Sequence, residues 1–171
     1  QARESSSRAD MLSRVSWPNF PTEKVLKGIS EAAANGTIRR VCIQALNYPE
    51  VFLDLTVIIK AVKQKANVPI SVSCQPLNAK NVQLLAEAGA ERIGIPLDAA
   101  TKEIFDNVKG EAVRGPHNWK KQWKILGEAT KIFGKDRVST HLIVGLGETE
   151  KEMVSTVQKC VDMGVLPALF A

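Results

Sequence analysis

The chain has 171 residues, of which 44% are hydrophobic and only 5% aromatic, and its formal net charge is +5 at pH 7. This length and composition are typical of one globular α/β unit with a core of its own. The basic residues are scattered and no aromatic residues alternate with them, which argues against a nucleic-acid partner. No apolar run reaches the ~18 residues of a membrane span and no signal peptide is visible, which argues against a membrane protein.

The 3 cysteines lie far apart in the sequence and form no C-x-x-C motif. They are Cys42, Cys74 and Cys160. An odd number of cysteines without a pairing pattern is typical of reduced thiols, so the sequence predicts a cytoplasmic protein.

Helical and strand patterns alternate along most of the chain. Residues 1–20 are polar and lack a strong period, so they are predicted to form a loop that continues from a segment further upstream. From residue 21 onward, apolar residues recur in turn at the helical and at the strand spacing. The predicted helices cover residues 21–35, 51–62, 78–89, 101–108, 119–133 and 149–163, and the predicted strands cover residues 38–45, 68–74, 92–97, 138–144 and 165–169.

This order of elements predicts an α/β fold with parallel strands, because every strand is followed by a helical crossover. An open doubly wound sheet and a (β/α) barrel both satisfy the pattern. Five strands are fewer than the eight of a complete barrel, which needs ~200–250 residues. The chain also begins with a helix and ends within a strand. Residues 21–171 are therefore predicted to be the central part of a partial (β/α) TIM-type barrel whose first strand and C-terminal units are missing.

The segment 137–152 combines a strand, a glycine turn and a helix start. A β-branched run ends at Gly145-Leu146-Gly147, and Thr149 and Glu152 have the T-x-x-E spacing of a capping box. Such a turn places backbone N–H groups beside a loop that a ligand can approach closely. The segment is therefore a candidate ligand site.

The predicted carboxyl ends of the strands, where parallel α/β folds bind ligands, are rich in amides, acids and glycine. Their sequences contain no Ser/His/Asp arrangement and no cluster of metal ligands, which argues against a nucleophilic hydrolase. Two amides, a carboxylate and a glycine turn suit a polar small molecule such as a nucleoside with an amino-acid tail. These strand ends are residues 44–47, 73–75, 96–98 and 145–148.

Five segments, given at the end of this paragraph, resemble motifs of the radical S-adenosylmethionine superfamily and follow one another in the same order as in that family. The resemblance is strongest to its biotin synthase-like and lipoyl synthase-like members. The resemblance covers essentially the whole chain. It implies a cysteine loop of the form C-x3-C-x2-C upstream of Gln1, so the ligands of a [4Fe–4S] cluster are expected outside this chain. The segments are QAR at 1–3, VCIQALNYPE at 41–50, NVQLLAEAGAERIGIPLD at 81–98, VRGPHNW at 113–119 and HLIVGLGE at 141–148.

The resemblance implies contacts to the methionine part of S-adenosylmethionine. Gln44, Ala45 and Asn47 would meet the methionyl amino group. Arg114 would pair with the methionyl carboxylate, and a guanidinium fork suits such a partner.

Contacts to the nucleoside part are implied in the same way. Asp98 would accept hydrogen bonds from the ribose hydroxyls, for which a carboxylate is well suited. Ile143, Val144 and Gly145 would pack against adenine, and Glu148 would brace the turn. The resemblance names no catalytic residue and no metal ligand within the chain.

The implied activity is that of a radical enzyme. A cluster bound upstream would reduce S-adenosylmethionine to methionine and a 5′-deoxyadenosyl radical, which would abstract hydrogen from a small-molecule or lipoyl-carrier-type substrate. An electron donor is a further implied partner. The spacing of the Arg114 loop favours sulfur insertion of the lipoyl synthase type. The cysteine positions of the auxiliary [2Fe–2S] cluster of biotin synthase read Cys42, Ser71 and Ser139 here, and serine is a poor iron ligand.

Two other functions remain open from the sequence. One is a cluster-free (β/α) barrel enzyme, which would need a lysine or a carboxylate pair at the strand ends. The other is a non-catalytic barrel that binds a nucleoside without cleaving it.

Individual candidates have structural alternatives as well. Asn47 and Asp98 are suited to cap the helices that follow them, and Arg114 is equally suited to be a surface charge. His141 shares the inward-facing positions of its strand with Ser139 and Ile143 and would then face the barrel lumen, but it also fits a core histidine. It replaces the first glycine of the fifth-strand motif. Pro96 stands where biotin synthases have a polar ribose ligand.

Overall fold

The computed structural model describes residues 18–171. The loop predicted for residues 1–20 and the QAR segment therefore lie almost entirely outside the described residues. The helices are α1 (Thr22–Ala34), α2 (Val51–Lys65), α3 (Ala79–Ala88), α4 (Lys102–Val108), α5 (Trp119–Phe133) and α6 (Glu150–Asp162), with a 3₁₀ turn at Glu111–Val113. The strands are β1 (Val41–Gln44), β2 (Ile70–Ser73), β3 (Arg92–Gly94), β4 (Val138–Ile143) and β5 (Val165–Phe170).

The strands form one parallel sheet in the order β1-β2-β3-β4-β5. A doubly wound sheet would reverse its strand order at a switch point, and this sheet does not. Sequential order with right-handed crossovers places all connecting helices on the same face of the sheet. The predicted partial (β/α) barrel is thereby confirmed, and the open doubly wound alternative is wrong.

The two faces of the sheet differ in chemistry. Along β2 and β4 the residues are alternately buried and half-buried. The buried set faces the helices and is apolar except for Thr140, as at Ile70 and Val72. The half-buried set is polar except for Ile143, as at Ser71 and Ser73. The core therefore lies between sheet and helices, and the opposite face, which is the lumen face of a barrel, is lined with polar groups.

The aromatic face predicted on the helix at 119–133 belongs to this core. Trp123 is buried, and Trp119 packs edge-on between Phe105 and Trp123 with ring centroids 5.4 and 5.7 Å apart. Cys160 is fully buried in the same core, as predicted for a small hydrophobic residue.

The residues at the helix N-termini test the capping roles that the sequence left open for Asn47 and Asp98. The capping box predicted for α6 is confirmed, since Thr149 Oγ1 accepts from the N–H of Glu152 and the Glu152 carboxylate accepts from the N–H of Thr149. Thr101, not Asp98, caps α4. The N-cap position of α2 is Glu50, not Asn47. The capping alternatives for Asp98 and Asn47 are therefore wrong.

Strand β3 is shorter than its predicted range of 92–97. Pro96 has no N–H to donate to the ladder, so regular pairing with β4 ends after Gly94. The buried Thr140 hydroxyl fills the gap: it donates to the Ile95 carbonyl at 2.8 Å and accepts from the Leu97 N–H at 3.0 Å. Pairing resumes at Asp98, opposite Leu142. This interruption places Asp98 at the very end of the strand.

None of the helices within residues 18–171 is both long enough and apolar enough to cross a lipid bilayer.

Candidate functional site

The site centres on Asp98, which is tied to the end of β4 through its backbone. Its N–H donates to the His141 carbonyl at 2.8 Å, and its carbonyl accepts from the Ile143 N–H at 2.9 Å. Asp98 has a φ of 69°, a left-handed conformation that is uncommon for residues other than glycine. The sequence-predicted residues Asp98 and Ile143 are therefore held side by side at the carboxyl ends of β3 and β4.

Lys109 binds the Asp98 carboxylate. Its ammonium lies 2.8 Å from Asp98 Oδ2, 3.2 Å from Gln75 Oε1 and 2.9 Å from the carbonyl oxygen of Pro96. All three protons of the ammonium thus have an acceptor, and the lysine side chain is only 12% exposed. The strand-end sequences themselves contain no lysine, but the residue that directly follows α4, Lys109, reaches the strand ends from outside them.

Two glutamines complete this polar cluster. Gln75 Nε2 donates to Gln122 Oε1 at 2.7 Å, and Gln122 Nε2 donates to the Pro96 carbonyl at 3.0 Å. Both side chains are buried. Oδ1 of Asp98 makes no hydrogen bond to any residue in the range 18–171, so this oxygen is available to a ligand hydroxyl.

The glycine turn after β4 is braced from within. Glu148 Oε1 accepts from the N–H of Gly145 at 2.7 Å, and Glu148 Oε2 accepts from the N–H of Leu146 at 3.0 Å. These hydrogen bonds hold the pKa of Glu148 below its usual range. Gly145 has a φ of 95° and Gly147 a φ of 115°, which suit glycine. The N–H groups of Gly145 and Leu146 already donate to Glu148. A ligand at the turn would therefore contact the glycines and apolar side chains of the turn, including the exposed Val144.

The end of β1 supplies a second group of predicted residues. Ala45 continues the sheet by donating its N–H to the Ser73 carbonyl at 2.9 Å, whereas Gln44 and Asn47 have exposed side chains. Adjacent strands are ~4.8 Å apart, so the ends of β1 and β4 are separated by roughly 14 Å. The predicted residues at these two ends are therefore suited to contact different parts of one ligand.

A cavity of ≈ 200 Å³ lies beside Asn47 and is lined by Gln75 and the half-buried His117, among others. Burial lowers the pKa of His117, and the nearby Lys109 charge lowers it further, while Asp98 acts in the opposite direction. His117 is therefore a neutral imidazole near neutral pH, next to the polar cluster.

The loop that carries Arg114 is tightly closed. A Cβ on Gly115 would lie 2.0 Å from the Lys109 carbonyl oxygen, so only glycine fits this position. Arg114 itself is exposed, with a φ of 54°, and its side chain makes no ion pair within residues 18–171. The structure thus places His117 of this loop against the strand ends and leaves the Arg114 guanidinium at the surface.

The cysteines do not form a ligand set for an iron–sulfur cluster. Cys42 is exposed on the lumen face, whereas Cys74 and Cys160 are buried on the helix side, where burial raises their pKa to about 12 and about 11. No group of three or more His, Cys, Asp or Glu residues within 18–171 is placed to hold a metal ion. The described residues therefore do not fit a cluster, whereas the Asp98 carboxylate and the glycine turn offer a hydrogen-bond acceptor next to an apolar surface.

This sheet and its polar strand ends define a partial (β/α) barrel with a candidate ligand site at the carboxyl ends of its strands. The Radical SAM superfamily model matches residues 7–160, and the chain belongs to that superfamily. The family resemblance predicted from the sequence is confirmed.

Among curated relatives, the chain is 24% identical over 153 residues to a biotin synthase from Mycobacterium bovis (strain BCG / Pasteur 1173P2), a match that covers 88% of this chain and 41% of that protein. It is 32% identical over 80 residues to a GTP 3',8-cyclase from Microcystis aeruginosa, covering 45% of this chain and 24% of the cyclase. The biotin synthase side of the predicted resemblance is supported by the first match.

Among solved structures, methylornithine synthase superposes with a TM-score of 0.72 at 13% identity, covering 92% of this chain and 46% of the synthase. The FeFe-hydrogenase maturase HydG from Carboxydothermus hydrogenoformans superposes with a TM-score of 0.67 at 19% identity, covering 90% of this chain and 38% of the maturase. These similarities show the fold. The chain spans less than half the length of each of these four relatives.

Proposed function

We propose that this chain is the part of a radical S-adenosylmethionine enzyme that binds S-adenosylmethionine across the carboxyl ends of its strands. The observation that carries the proposal is the direct backbone pairing of Asp98 with the end of β4. It sets a carboxylate with a free oxygen beside a glycine turn, as a nucleoside needs for its ribose and its base.

Each group of residues would bind one part of the cofactor. Asp98 Oδ1 would accept hydrogen bonds from the ribose hydroxyls, while Ile143, Val144 and Gly145 would cover the adenine. Glu148 would not contact the cofactor but would hold the turn in place through its hydrogen bonds to Gly145 and Leu146.

The methionine end would extend toward β1. Gln44, Ala45 and Asn47 would meet the methionyl amino group there, and Arg114 would pair with the methionyl carboxylate. Because Arg114 is an exposed loop residue, it would need to turn its guanidinium toward the strand ends when the cofactor binds.

The chemistry itself would come from outside the described residues. A [4Fe–4S] cluster, which upstream cysteines would hold and an electron donor would reduce, would supply the reductive cleavage of S-adenosylmethionine to methionine and a 5′-deoxyadenosyl radical. The residues of this chain would orient the cofactor and keep water away from the lumen.

For the overall reaction, we propose sulfur insertion of the lipoyl synthase type, in the cytoplasm, on a small-molecule or lipoyl-carrier-type substrate. The spacing of the Arg114 loop supports this choice. The lumen positions Cys42, Ser71 and Ser139 offer only one thiol, so an auxiliary cluster built on these positions as in biotin synthase is disfavoured.

The test uses the natural chain with its upstream residues, reconstituted anaerobically with iron and sulfide. S-adenosylmethionine and a strong reductant are added, and 5′-deoxyadenosine is measured. We expect product from the native protein and at least a tenfold loss in Asp98→Ala and in Arg114→Ala. The matched controls Asp162→Ala and Arg39→Ala, both at exposed positions, are expected to retain product.

The outcome separates this proposal from its alternatives. A cluster without 5′-deoxyadenosine would favour a barrel that binds a nucleoside without cleaving it. Absence of any cluster would favour a cluster-free enzyme, for which Lys109 is the only lysine that the described residues place in the strand-end cluster. That ammonium is already occupied by three acceptors, which makes it a poor nucleophile.

A further inference from the structure

A second cavity, of ≈ 250 Å³, opens on the lumen face of the sheet and extends from the strand ends at Gln44 and Ser73 toward the amino-terminal ends of the strands. We call it the lumen cavity. Its lining is rich in hydrogen-bond donors. These include the polar side chains Gln44, Ser71, Ser73, Arg92, Arg137, Ser139 and His141.

The floor of the lumen cavity is a cradle around Gly94. The sheet register sets Ser73, Gly94 and Ser139 side by side on neighbouring strands. A Cβ on Gly94 would lie 3.2 Å from Ser139 Oγ and 3.6 Å from Ser73 Oγ, so a side chain there would fill the space between the two hydroxyls. Glycine leaves that space open, and a ligand group can reach both hydroxyls and the backbone.

Positive charge collects at the amino-terminal end of the same cavity. Arg40 donates to Glu91 Oε1 at 2.8 Å and to Ser71 Oγ at 3.0 Å, and Arg92 Nε lies 3.7 Å from the same Glu91 oxygen. The Arg40 hydrogen bond above all, with the charges of Arg40, Arg137 and Arg92, holds the pKa of Glu91 below its usual range.

The charges in this region do not cancel. The charges of Arg40, Arg92 and Arg137 all act on Glu91, and Asp136 also lines the cavity, so these five groups leave one positive charge in excess. Arg40 already satisfies Glu91, so the charges of Arg92 and Arg137 are the less compensated ones. A single anion would balance them.

We propose that the lumen cavity binds the carboxylate end of a small substrate, between the Arg92 and Arg137 guanidiniums and the Ser73 and Ser139 hydroxyls. This names the substrate class and rests on the function proposed above. The cavity is smaller than the ~300–1,000 Å³ of a typical ligand pocket, so it holds the polar end only. The remainder of the substrate would run along the strands toward Asp98, which lies four residues or ~13 Å beyond Gly94.

The charge and the donors favour a carboxylate over a phosphate. One excess charge matches a monoanion, and a guanidinium fork with two hydroxyls provides donors for two carboxylate oxygens. A phosphate ester carries nearly two charges and would leave a net negative site.

The test measures binding of two matched probes, hexanoate and hexanamide, to the reconstituted natural chain by saturation-transfer NMR. We expect hexanoate to bind at least tenfold more tightly than hexanamide. Arg92→Gln and Arg137→Gln should each weaken hexanoate binding at least fivefold, and Gly94→Ala should abolish it by filling the cradle. Lys120→Gln, at an exposed position on α5, is the matched control and should bind hexanoate like the native protein.

Binding of S-adenosylmethionine is measured on the same samples, since none of the changed residues lies at the proposed cofactor site. If the cofactor binds but the two probes bind equally, or if Arg92→Gln binds hexanoate normally, the inference is overturned while the proposed function stands. Stronger competition by inorganic phosphate than by acetate would overturn it as well. If the native protein binds no S-adenosylmethionine, the proposed function itself has failed.

Discussion

At the scale of single residues, Lys109 decides the direction of the Asp98 carboxylate. Asp98 has an uncommon backbone conformation. Without Lys109, its carboxylate would have no side-chain partner to fix its orientation. The ammonium of Lys109 fixes one carboxylate oxygen and joins it to Gln75 and to the Pro96 carbonyl. The other oxygen is thereby presented to the ligand in one orientation.

Replacing Lys109 tests this arrangement. Lys109→Met should destabilise the natural chain by about 2 kcal/mol in urea unfolding, because it leaves a carboxylate and an amide oxygen without their donor. The control Lys124→Met removes only an exposed pair with Glu128 and should cost less than about 0.5 kcal/mol. The pKa of His117, measured by NMR, should rise in Lys109→Met because a neighbouring positive charge has been removed. Native stability and an unchanged His117 pKa would contradict this role.

Among the secondary-structure elements, the connection from β4 to α6 is held by hydrogen bonds between its own residues. Glu148 binds two N–H groups of the turn, and the capping box of Thr149 and Glu152 fixes the first turn of α6. The Glu148 carboxylate thus stabilises the turn before Thr149, and the Glu152 carboxylate stabilises the helix start after it. A ligand that packs on the turn meets a surface already in place, which lowers the entropy cost of binding.

The turn should be sensitive to acid. The pKa of Glu148 in the folded protein is lowered from 4.5, so its stabilising effect is complete above that value and is lost as the pH falls through the folded pKa. Glu148→Gln should be less stable at pH 7 and should lose less stability between pH 7 and acid than the native protein. Thermal midpoints against pH measure this, with Glu150→Gln in the first turn of α6 as the control. Parallel pH profiles for native protein and Glu148→Gln would refute the role of the carboxylate.

At the scale of the whole molecule, the sheet has two edges. Within residues 18–171, β1 pairs only with β2 and β5 only with β4. The β5 edge carries the exposed apolar residues Leu166, Leu169 and Phe170. Unpaired strand edges with apolar side chains are sites of association with other chains.

The 171-residue chain by itself should therefore self-associate. We expect light scattering after size-exclusion chromatography to show oligomers or aggregates whose share rises with protein concentration. Leu169→Lys places a charge at the β5 edge and should shift the chain toward monomer, whereas Val154→Lys on the exposed face of α6 should not. A sharp monomer peak with cooperative melting of the unaltered chain would refute this prediction.

The order of helices and strands, their parallel pairing and the capping box of α6 could all be predicted from the sequence alone. These features depend on hydrophobic periods and on residues a few positions apart, which local patterns reveal. The sequence also located the end of β4 and Asp98 as candidates, because they follow strands directly. The superfamily was recognisable from motifs in their order along the chain.

The surroundings of those candidates depend on contacts between distant parts of the chain. Lys109 reaches Gln75 across 34 residues of sequence, and Gln75 reaches Gln122 across 47, so no local pattern could predict the cluster. The cradle at Gly94 likewise depends on the register of three strands, which sets two serines beside one glycine. Hydrophobic periodicity specifies which face of an element is buried, but side-chain contacts between elements depend on packing that brings distant residues together.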